Sequence, residues 1–256
     1  MKEKVIFFDI DGTLVNEEKV LFEETRNAIY QLKENNITPV LATGRPPFWY
    51  EDLRRDLQID SYISYNGQHI VLKGELFYEN PIHEESLIKL YEEMQSHSIP
   101  MAFLDSQEMV VTASEHPLVE GCFTHLIHEY PRISHDFHRN RKIFQSLLFM
   151  EEDLHEEIIK KYSMFDFLRW HKHSYDILPR GCSKAIAIKK VTEALGGQAT
   201  TYAFGDGAND LEMIMEADIG IAMGNALEHL KEAADYVTED VNNHGVKKAL
   251  KKLKLI

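Results

Sequence analysis

The stretch that decides the fold is Val-Ile-Phe-Phe-Asp-Ile-Asp-Gly-Thr, at residues 5–13. Its four consecutive apolar residues predict a strand that is covered on both faces, as in a parallel sheet. Asp9 and Asp11 follow directly, and their spacing of two places both carboxylates on one face of an extended chain. Because open α/β sheets bind their ligands at the carboxyl ends of the strands, this stretch predicts a central strand with a site at its end.

Strand and helix patterns alternate outward from this stretch and predict an α/β fold. The alternation covers about the first 80 residues and resumes at Lys184, with buried strand patterns at 38–42, 62–65, 201–204 and 219–222. The intervening residues mix strand-like and helix-like segments and carry no phosphate-type motif. We therefore expect a Rossmann-like parallel-sheet core made of residues 1–81 and 179–256, with an inserted α+β cap domain at 82–178.

The charge balance restricts the classes of partner. The chain has 28 basic and 42 acidic side chains and a net charge of −14. Since phosphate backbones are held by Lys and Arg, we expect neither nucleic acid nor an anionic membrane as the main partner. Only Cys122 and Cys182 occur, and no segment approaches the ~20 apolar residues of a membrane span. These features predict a cytoplasmic protein without a disulfide framework.

Two further motifs suit the binding of an anion. Thr43 and Gly44 end the second predicted strand, where a hydroxyl and an unhindered backbone N–H can hold phosphate oxygens. A capping threonine beside a turn glycine is the structural alternative. Lys184 lies at a predicted helix start, where the helix dipole disfavours a cation, and this placement indicates a nearby anion. A lysine that points into solvent is the alternative there.

Acidic strand ends indicate a metal site. Asp9 and Asp11 repel one another, and an oxygen-only site of this kind suits Mg²⁺. Asp206 ends another predicted strand and fits a metal shared with Asp9, whereas Asn209 and Asp210 also suit the cap and first turn of the next helix. A turn that merely closes the first strand remains the alternative for Asp9 and Asp11.

Taken together and in this order, the motifs resemble those of the haloacid dehalogenase-like hydrolase superfamily. They are Asp-Ile-Asp-Gly-Thr-Leu (9–14), Ala-Thr-Gly-Arg-Pro (42–46), Lys184, and Gly-Asp-Gly-Ala-Asn-Asp (205–210). Asn66-Gly67 and the stretch Ala-Met-Gly-Asn-Ala (222–226) resemble further elements of its Cof-type branch, subfamily IIB. A large insert between the second and third motifs also suits that branch.

The resemblance implies a role for each matching residue. Asp9 is expected to be the nucleophile that forms an aspartyl-phosphate, and Asp11 the group that protonates the leaving oxygen and then activates water. The expected Mg²⁺ ligands are Asp9, Asp11 through its backbone carbonyl, and Asp206, with Asp210 supporting them. The residues expected to hold the substrate phosphate are Thr43, Gly44, Lys184 and Asn209, and those at the mouth of the site are Arg45 and Asn66.

The function predicted on this basis is hydrolysis of small phosphorylated metabolites, sugar phosphates foremost, by a monomer or weak homo-oligomer. Two alternatives stay open: a sugar phosphomutase with the same core, and a phospho-aspartate signalling module. Two histidine pairs with i,i+3 spacing, His125/His128 and His135/His138, lack an accompanying cysteine pattern, and we predict no zinc site there.

Overall fold

The computed structural model describes residues 2–123, 130–151 and 153–256, so His125 and His128 lie outside the described residues. The chain forms two compact units. The first contains Met1–Arg45, Tyr50–Glu79 and Ser183–Ile256, and the second contains Pro46–Trp49 and Asn80–Cys182.

The first unit is an α/β unit built around a single sheet. Its strands are β1 (Lys4–Phe8), β2 (Ile37–Ala42), β3 (Tyr62–Ser64), β4 (His69–Leu72), β5 (Glu75–Glu79), β12 (Thr200–Gly205), β13 (Ile219–Ala222) and β14 (Tyr236–Val237). Its helices are α1 (Glu23–Glu34), α2 (Glu51–Asp56), α6 (Lys184–Ala194), α7 (Leu211–Glu216), α8 (Glu228–Ala233) and α9 (Gly245–Lys252).

The strand order places β1 in the middle of this sheet. The order is β14-β13-β12-β1-β2-β3-β4-β5, and the pairs from β14 to β3 are parallel, whereas β3, β4 and β5 pair antiparallel. Phe8 at the end of β1 pairs with Leu41 of β2 and with Phe204 of β12. The carboxyl ends of these three strands therefore lie side by side, which confirms the predicted α/β fold with a mostly parallel sheet.

Hydrophobic spacing explains how the helices cover this sheet. In α1 the buried residues Thr25, Ala28, Ile29 and Leu32 recur at helical spacing, and Glu23 and Glu24 lie in the first turn, where the helix dipole favours negative charge. The residues of β1 from Val5 to Phe8 are fully buried, as expected of a strand between two helical layers.

The second unit contains a separate, mixed sheet. Its strands are β6 (Met101–Leu104), β7 (Met109–Val111), β8 (Arg132–Ile133), β9 (Gln145–Phe149), β10 (Phe165–His171) and β11 (Ser174–Pro179), in the order β10-β11-β9-β6-β7-β8. Its helices are α3 (Glu84–Ser96), α4 (Pro117–Phe123) and α5 (Glu156–Lys161). The ring of Trp49 lies 6.4 Å from that of Phe123, which places the short 46–49 segment with this unit.

Secondary structure departs from the sequence patterns mainly in the second unit. The spacing of apolar residues at 151–162 predicts a helix, and the structure forms it over Glu156–Lys161, whereas the described residues 153–155 before it are not helical. The Leu154 N–H donates to the Tyr175 hydroxyl at 3.2 Å. This hydrogen bond occupies the backbone N–H of Leu154, and the spacing of apolar residues along the sequence gives no sign of it.

Cys122 and Cys182 are both free thiols. No helix in the part of the chain that the structure describes is long and apolar enough to cross a membrane.

Candidate active site

Three neighbouring strands of the first unit end in polar residues that meet at one edge of the sheet. Asp9 follows β1, Thr43 follows β2, and Asp206 follows β12. The Asp9 N–H still donates to the Phe204 carbonyl at 3.0 Å, so the parallel ladder extends to the carboxylate and fixes its backbone. The chain turns beyond it at Gly12, whose φ of +72° suits glycine.

Lys184 is the buried centre of the site. It is 1% exposed, and its Nζ donates at 2.6 Å to Asp9 Oδ1 and at 2.6 Å to Asp210 Oδ1. Lys184 is the first residue of α6, after the cap Ser183, whose side chain accepts from the Ile186 N–H. The placement of Lys184 at a helix start predicted a nearby anion, and the two carboxylates are that anion. The alternative of a lysine that points into solvent is wrong.

Asp210 supports the loop after β12 from the inside. Its Oδ2 accepts from the backbone N–H groups of Asp206 and Gly207, each at 3.0 Å, and the residue is fully buried. A Cβ on Gly205 would lie 2.5 Å from the Asp210 Cβ, so the strand must end in glycine for this carboxylate to fit. Asp210 therefore closes the loop and also pairs with Lys184.

Three carboxylates of the site fit a hard divalent cation. One oxygen from each of Asp9, Asp206 and Asp210 lies within 4.8 Å of the others. These are oxygen ligands only, the chemistry that Mg²⁺ takes in proteins. The Asp11 carboxylate is not part of this group, which is compatible with the expectation that Asp11 contributes its backbone carbonyl.

The electrostatics of the site reflect an excess of negative charge. Burial and the neighbouring charge of Asp210 raise the pKa of Asp9 to about 8, against the opposing effect of Lys184. Burial and Asp210 likewise raise the pKa of Asp206 to about 6. Burial acts to lower the pKa of Lys184, but Asp210 and Asp9 together raise it above its usual value. One ammonium shared by buried carboxylates thus leaves charge that a cation would neutralise.

The Asp11 side chain is held by two cations at the open side of the site. Arg45 donates from Nε to Oδ2 at 2.7 Å and from Nη2 to Oδ1 at 2.5 Å, and Lys19 Nζ lies 2.6 Å from Oδ1. Burial acts to raise the pKa of Asp11, but these hydrogen bonds and charges hold it below its usual value. Arg45 therefore contacts a catalytic candidate directly, beyond the place at the mouth that the sequence suggested.

The remaining predicted residues lie around the end of β2. The Thr43 hydroxyl accepts from the Arg45 N–H at 3.1 Å, and a Cβ on Gly44 would lie 3.2 Å from the side-chain amide of Asn66. Asn209 Nδ2 donates to Asn66 Oδ1 at 3.2 Å. The fold thus brings Asn66 and Asn209, 143 positions apart, into direct contact beside Gly44.

Two polar residues of the site lie within the quoted stretches 9–14 and 222–226, but sequence reasoning gave neither of them a role. Thr13 donates from Oγ1 to Asp206 Oδ1 at 3.3 Å, and Asn225 donates from Nδ2 to Asp206 Oδ2 at 3.3 Å. Thr13 stands inside the first motif, so its position was a usable signal. The contact of Asn225 depends on how the loop after β13 folds, which the sequence pattern does not encode.

Comparison with known proteins places the chain in a family. Residues 6–250 match the family described as haloacid dehalogenase-like hydrolase. The chain is 40% identical over 257 residues to the protein named Putative phosphatase YkrA of Bacillus subtilis (strain 168), with 100% of each chain covered.

Solved structures agree with this assignment. A hypothetical protein of Geobacillus kaustophilus HTA426 superposes with a TM-score of 0.95 at 40% identity, covering 99% of this chain and 100% of that one. The subclass IIB sugar phosphatase BT4131 superposes with a TM-score of 0.81 at 30% identity, covering 99% and 100%. The resemblance inferred from the motifs is confirmed: this chain belongs to the haloacid dehalogenase-like hydrolases and is a phosphatase of that family.

Proposed function

We propose that the chain is a Mg²⁺-dependent phosphatase of small phosphorylated metabolites, with sugar phosphates as the leading class, and that it acts through an aspartyl-phosphate on Asp9. The observation that carries the proposal is the buried Lys184 between Asp9 and Asp210, with an Asp206 oxygen within 4.8 Å of the other two carboxylates. The similarity to the sugar phosphatase BT4131 supports the substrate class.

The proposed reaction has two steps on the same carboxylate. An Asp9 oxygen attacks phosphorus, and the bond from phosphorus to the ester oxygen breaks. Asp11 gives a proton to the departing alcohol, and for this it must first release Arg45 and Lys19, which hold its pKa low, and take up a proton. Asp11, now ionised, takes a proton from water, and this water attacks the phosphorus of the aspartyl-phosphate. Inorganic phosphate leaves, and Asp9 is restored as a carboxylate.

The other residues of the site hold charge and orientation during these steps. A Mg²⁺ ion held by Asp9, Asp206, Asp210 and the Asp11 carbonyl would supply charge neutralisation for the phosphoryl group. Lys184, Thr43, Gly44 and Asn209 would hold the phosphate oxygens. Phosphoryl transfer requires mainly positioning and charge neutralisation, and this set of residues is suited to both.

Arg45 and Asn66 stand beside this set and are proposed to line the mouth of the site. We further propose that residues 82–178 form a cap domain inserted into a core of residues 1–81 and 179–256, and that the cap sets the choice of substrate. Its separate sheet, β10-β11-β9-β6-β7-β8, supports this division. A cytoplasmic location and a monomer or weak homo-oligomer remain predictions.

The direct experiment measures phosphate release from p-nitrophenyl phosphate and from a panel of sugar phosphates, with Mg²⁺ or with EDTA. We expect Mg²⁺-dependent release by the wild type and a loss of at least about 10³-fold in kcat for Asp9→Asn, because the amide is a poor nucleophile. Asp52→Asn is the matched control, since the Asp52 side chain is 98% exposed and pairs only weakly, at 3.2 Å, with Arg55 of the same helix.

The outcomes separate the alternatives. Release that survives Asp9→Asn contradicts the aspartyl-phosphate. An isomerised sugar phosphate without free phosphate would favour the phosphomutase, and a long-lived phosphorylated Asp9 without turnover would favour the signalling module. Activity of the Asp52→Asn variant equal to that of the wild type confirms that the loss is specific to Asp9.

A further inference from the structure

Asn225 links three segments of the first unit through one side chain. It lies in the loop that joins β13 to α8. Its Nδ2 donates to the Gly12 carbonyl at 2.8 Å and to Asp206 Oδ2 at 3.3 Å. Its Oδ1 accepts from the Val241 N–H at 3.0 Å. The side chain thus joins the turn after β1, the loop after β12 and the segment after β14.

These bonds determine how Asp206 is held. Thr13 Oγ1 donates to one oxygen of its carboxylate and Asn225 Nδ2 to the other, both at 3.3 Å. Two donors on opposite oxygens fix the rotation of a carboxylate and leave further lone pairs on each oxygen for a cation. Loss of either donor removes one of these two restraints on the carboxylate.

The same amide also holds the turn on which Asp206 rests. A Cβ at Gly12 would lie 2.1 Å from Asp206 Oδ2, so the turn and the carboxylate are in close contact. Asn225 donates to the carbonyl of this glycine, while the Gly12 N–H donates to the Val15 carbonyl at 2.8 Å. The N–H and the carbonyl of Gly12 are therefore both hydrogen-bonded, and the partner of the carbonyl is Asn225.

The loop that carries Asn225 is held in place by residues 239–241. The preceding Gly224 donates from its N–H to the Glu239 carbonyl at 3.1 Å, and a Cβ on Gly224 would lie 2.4 Å from the Asp240 backbone nitrogen. The loop is thereby pressed against the chain at 239–241, which also donates to Asn225 Oδ1. An amide anchored in this way presents its N–H groups in a set direction, and as a neutral group it adds no charge to a site already rich in carboxylates.

We propose that Asn225 is a positioning residue for the divalent cation, and that it acts by holding Asp206 and the Gly12 turn in the geometry that receives the ion. The inference rests on the metal dependence in the proposed function. Groups that orient metal-binding carboxylates typically change affinity or activity by 10–100-fold when they are removed.

The test measures Mn²⁺ binding to the full chain without substrate, by the loss of the free-ion EPR signal. We expect Asn225→Ala to raise the dissociation constant about 10-fold or more. Asn242→Ala is the matched control, because Asn242 lines the same cavity of about 370 Å³ but its side-chain oxygen accepts from Asn16. That control is expected to stay within about twofold of the wild type.

A second readout separates positioning from a general structural effect. In phosphate release, the Mg²⁺ concentration for half-maximal rate should rise about as much as the Mn²⁺ dissociation constant, whereas kcat at saturating Mg²⁺ should stay within about threefold of the wild type. Because Asn225 is exposed and leaves no cavity when truncated, the midpoint of unfolding without cation should fall only by the effect of its three lost hydrogen bonds, and the variant should remain folded under the assay conditions.

Each contrary result has a distinct meaning. Wild-type Mn²⁺ affinity in Asn225→Ala, equal weakening in Asn242→Ala, or a kcat that falls equally at every Mg²⁺ concentration overturns the role of Asn225 and leaves the proposed function intact. An Asp206→Asn variant that binds Mn²⁺ as the wild type does would place the ion elsewhere. That result would contradict the metal site of the proposed function together with this inference.

Discussion

At the scale of single residues, the site is defined by one cation among several carboxylates. The Lys184 ammonium lies 2.6 Å from a carboxylate oxygen of Asp9 and 2.6 Å from one of Asp210, and it partly neutralises their negative charge. All three residues are buried, so water does little to screen a charge that lacks a partner. Removing one partner of a buried ion pair is costly because it leaves an uncompensated charge. The arrangement is therefore suited to receiving a cation and phosphate, and less suited to stability without them.

The free energy of unfolding of the Asp9→Asn variant should show how much the buried carboxylates destabilise the cation-free protein. The pKa of Asp9 is raised to about 8, whereas an unfolded Asp titrates near about 3.9. Between these values the folded state binds more protons than the unfolded state, so the wild type loses stability as pH rises from about 4 to about 8. An amide mimics the protonated acid, and we expect Asn to stabilise the cation-free protein by roughly 0.5–2 kcal/mol at pH 8.

Urea unfolding at pH 4, 6 and 8 in EDTA measures this difference. The advantage of Asn over Asp should be smallest at pH 4 and grow toward pH 8. The exposed control Asp52→Asn should show no such trend. An Asn variant less stable than the wild type at pH 8 would mean that the bond from Lys184 outweighs the repulsion among the carboxylates.

At the scale of elements, the turn at 65–67 connects β3 to β4 and lies against the start of α6. Tyr65, Asn66 and Gly67 have φ values of 53°, 52° and 108°, a conformation that is costly for the first two residues. Backbone bonds from Asn66 to the Thr43 carbonyl at 3.1 Å and from Tyr65 to the Arg45 carbonyl at 3.4 Å hold it in place. The strained backbone of this turn therefore lies where the Asn66 side chain contacts Gly44 and Asn209.

Two glycines test the contact made by this turn. A Cβ on Gly67 would lie 2.7 Å from the Ser183 carbonyl oxygen, whereas a Cβ on Gly74, with φ of +80°, has nothing within 4 Å. Both alanine variants should lose about 1–3 kcal/mol from backbone strain. Gly67→Ala should lose more, and it should also lower activity, because Ser183 is the cap that precedes Lys184.

Denaturant unfolding and phosphate release of the two variants measure the difference. Equal loss of stability and equal activity in both would show that α6 tolerates displacement of its start. That outcome would contradict a tight coupling between this turn and the position of Lys184.

At the scale of the whole molecule, cation binding should stabilise the fold by mass action. A ligand at 100 times its dissociation constant adds about 2.7 kcal/mol to the free energy of unfolding. For a chain of this size that corresponds to a rise of about 5–10 °C in Tm. We expect this rise with Mg²⁺ for the wild type and little or none for Asp206→Asn, measured by thermal unfolding monitored by circular dichroism.

Sodium chloride at matched ionic strength controls for general screening of the charge of −14. A rise that sodium chloride reproduces would indicate screening of surface charge. A rise that persists in Asp206→Asn would indicate binding outside the three carboxylates.

Much of the fold and of the site was predictable from the chain because the signals are local. The apolar run before Asp9 predicts a covered strand, and polar residues that end such strands must gather at one edge of a parallel sheet. The start of the helix after 155 and the contacts of Asn225 were not predictable. Each depends on a hydrogen bond to a residue distant in sequence, Tyr175 for the helix and Gly12 for the amide.

The sequence by itself determined the α/β class, the family and the residue types of the site, because hydrophobic periodicity and short motifs are properties of neighbouring residues. Only the tertiary structure decided which groups share charge. It placed Lys184 between Asp9 and Asp210, turned Asp11 toward Arg45 and Lys19, and set Asn225 against Asp206. The physical reason is that pairing, burial and the resulting pKa shifts depend on distances across the folded chain.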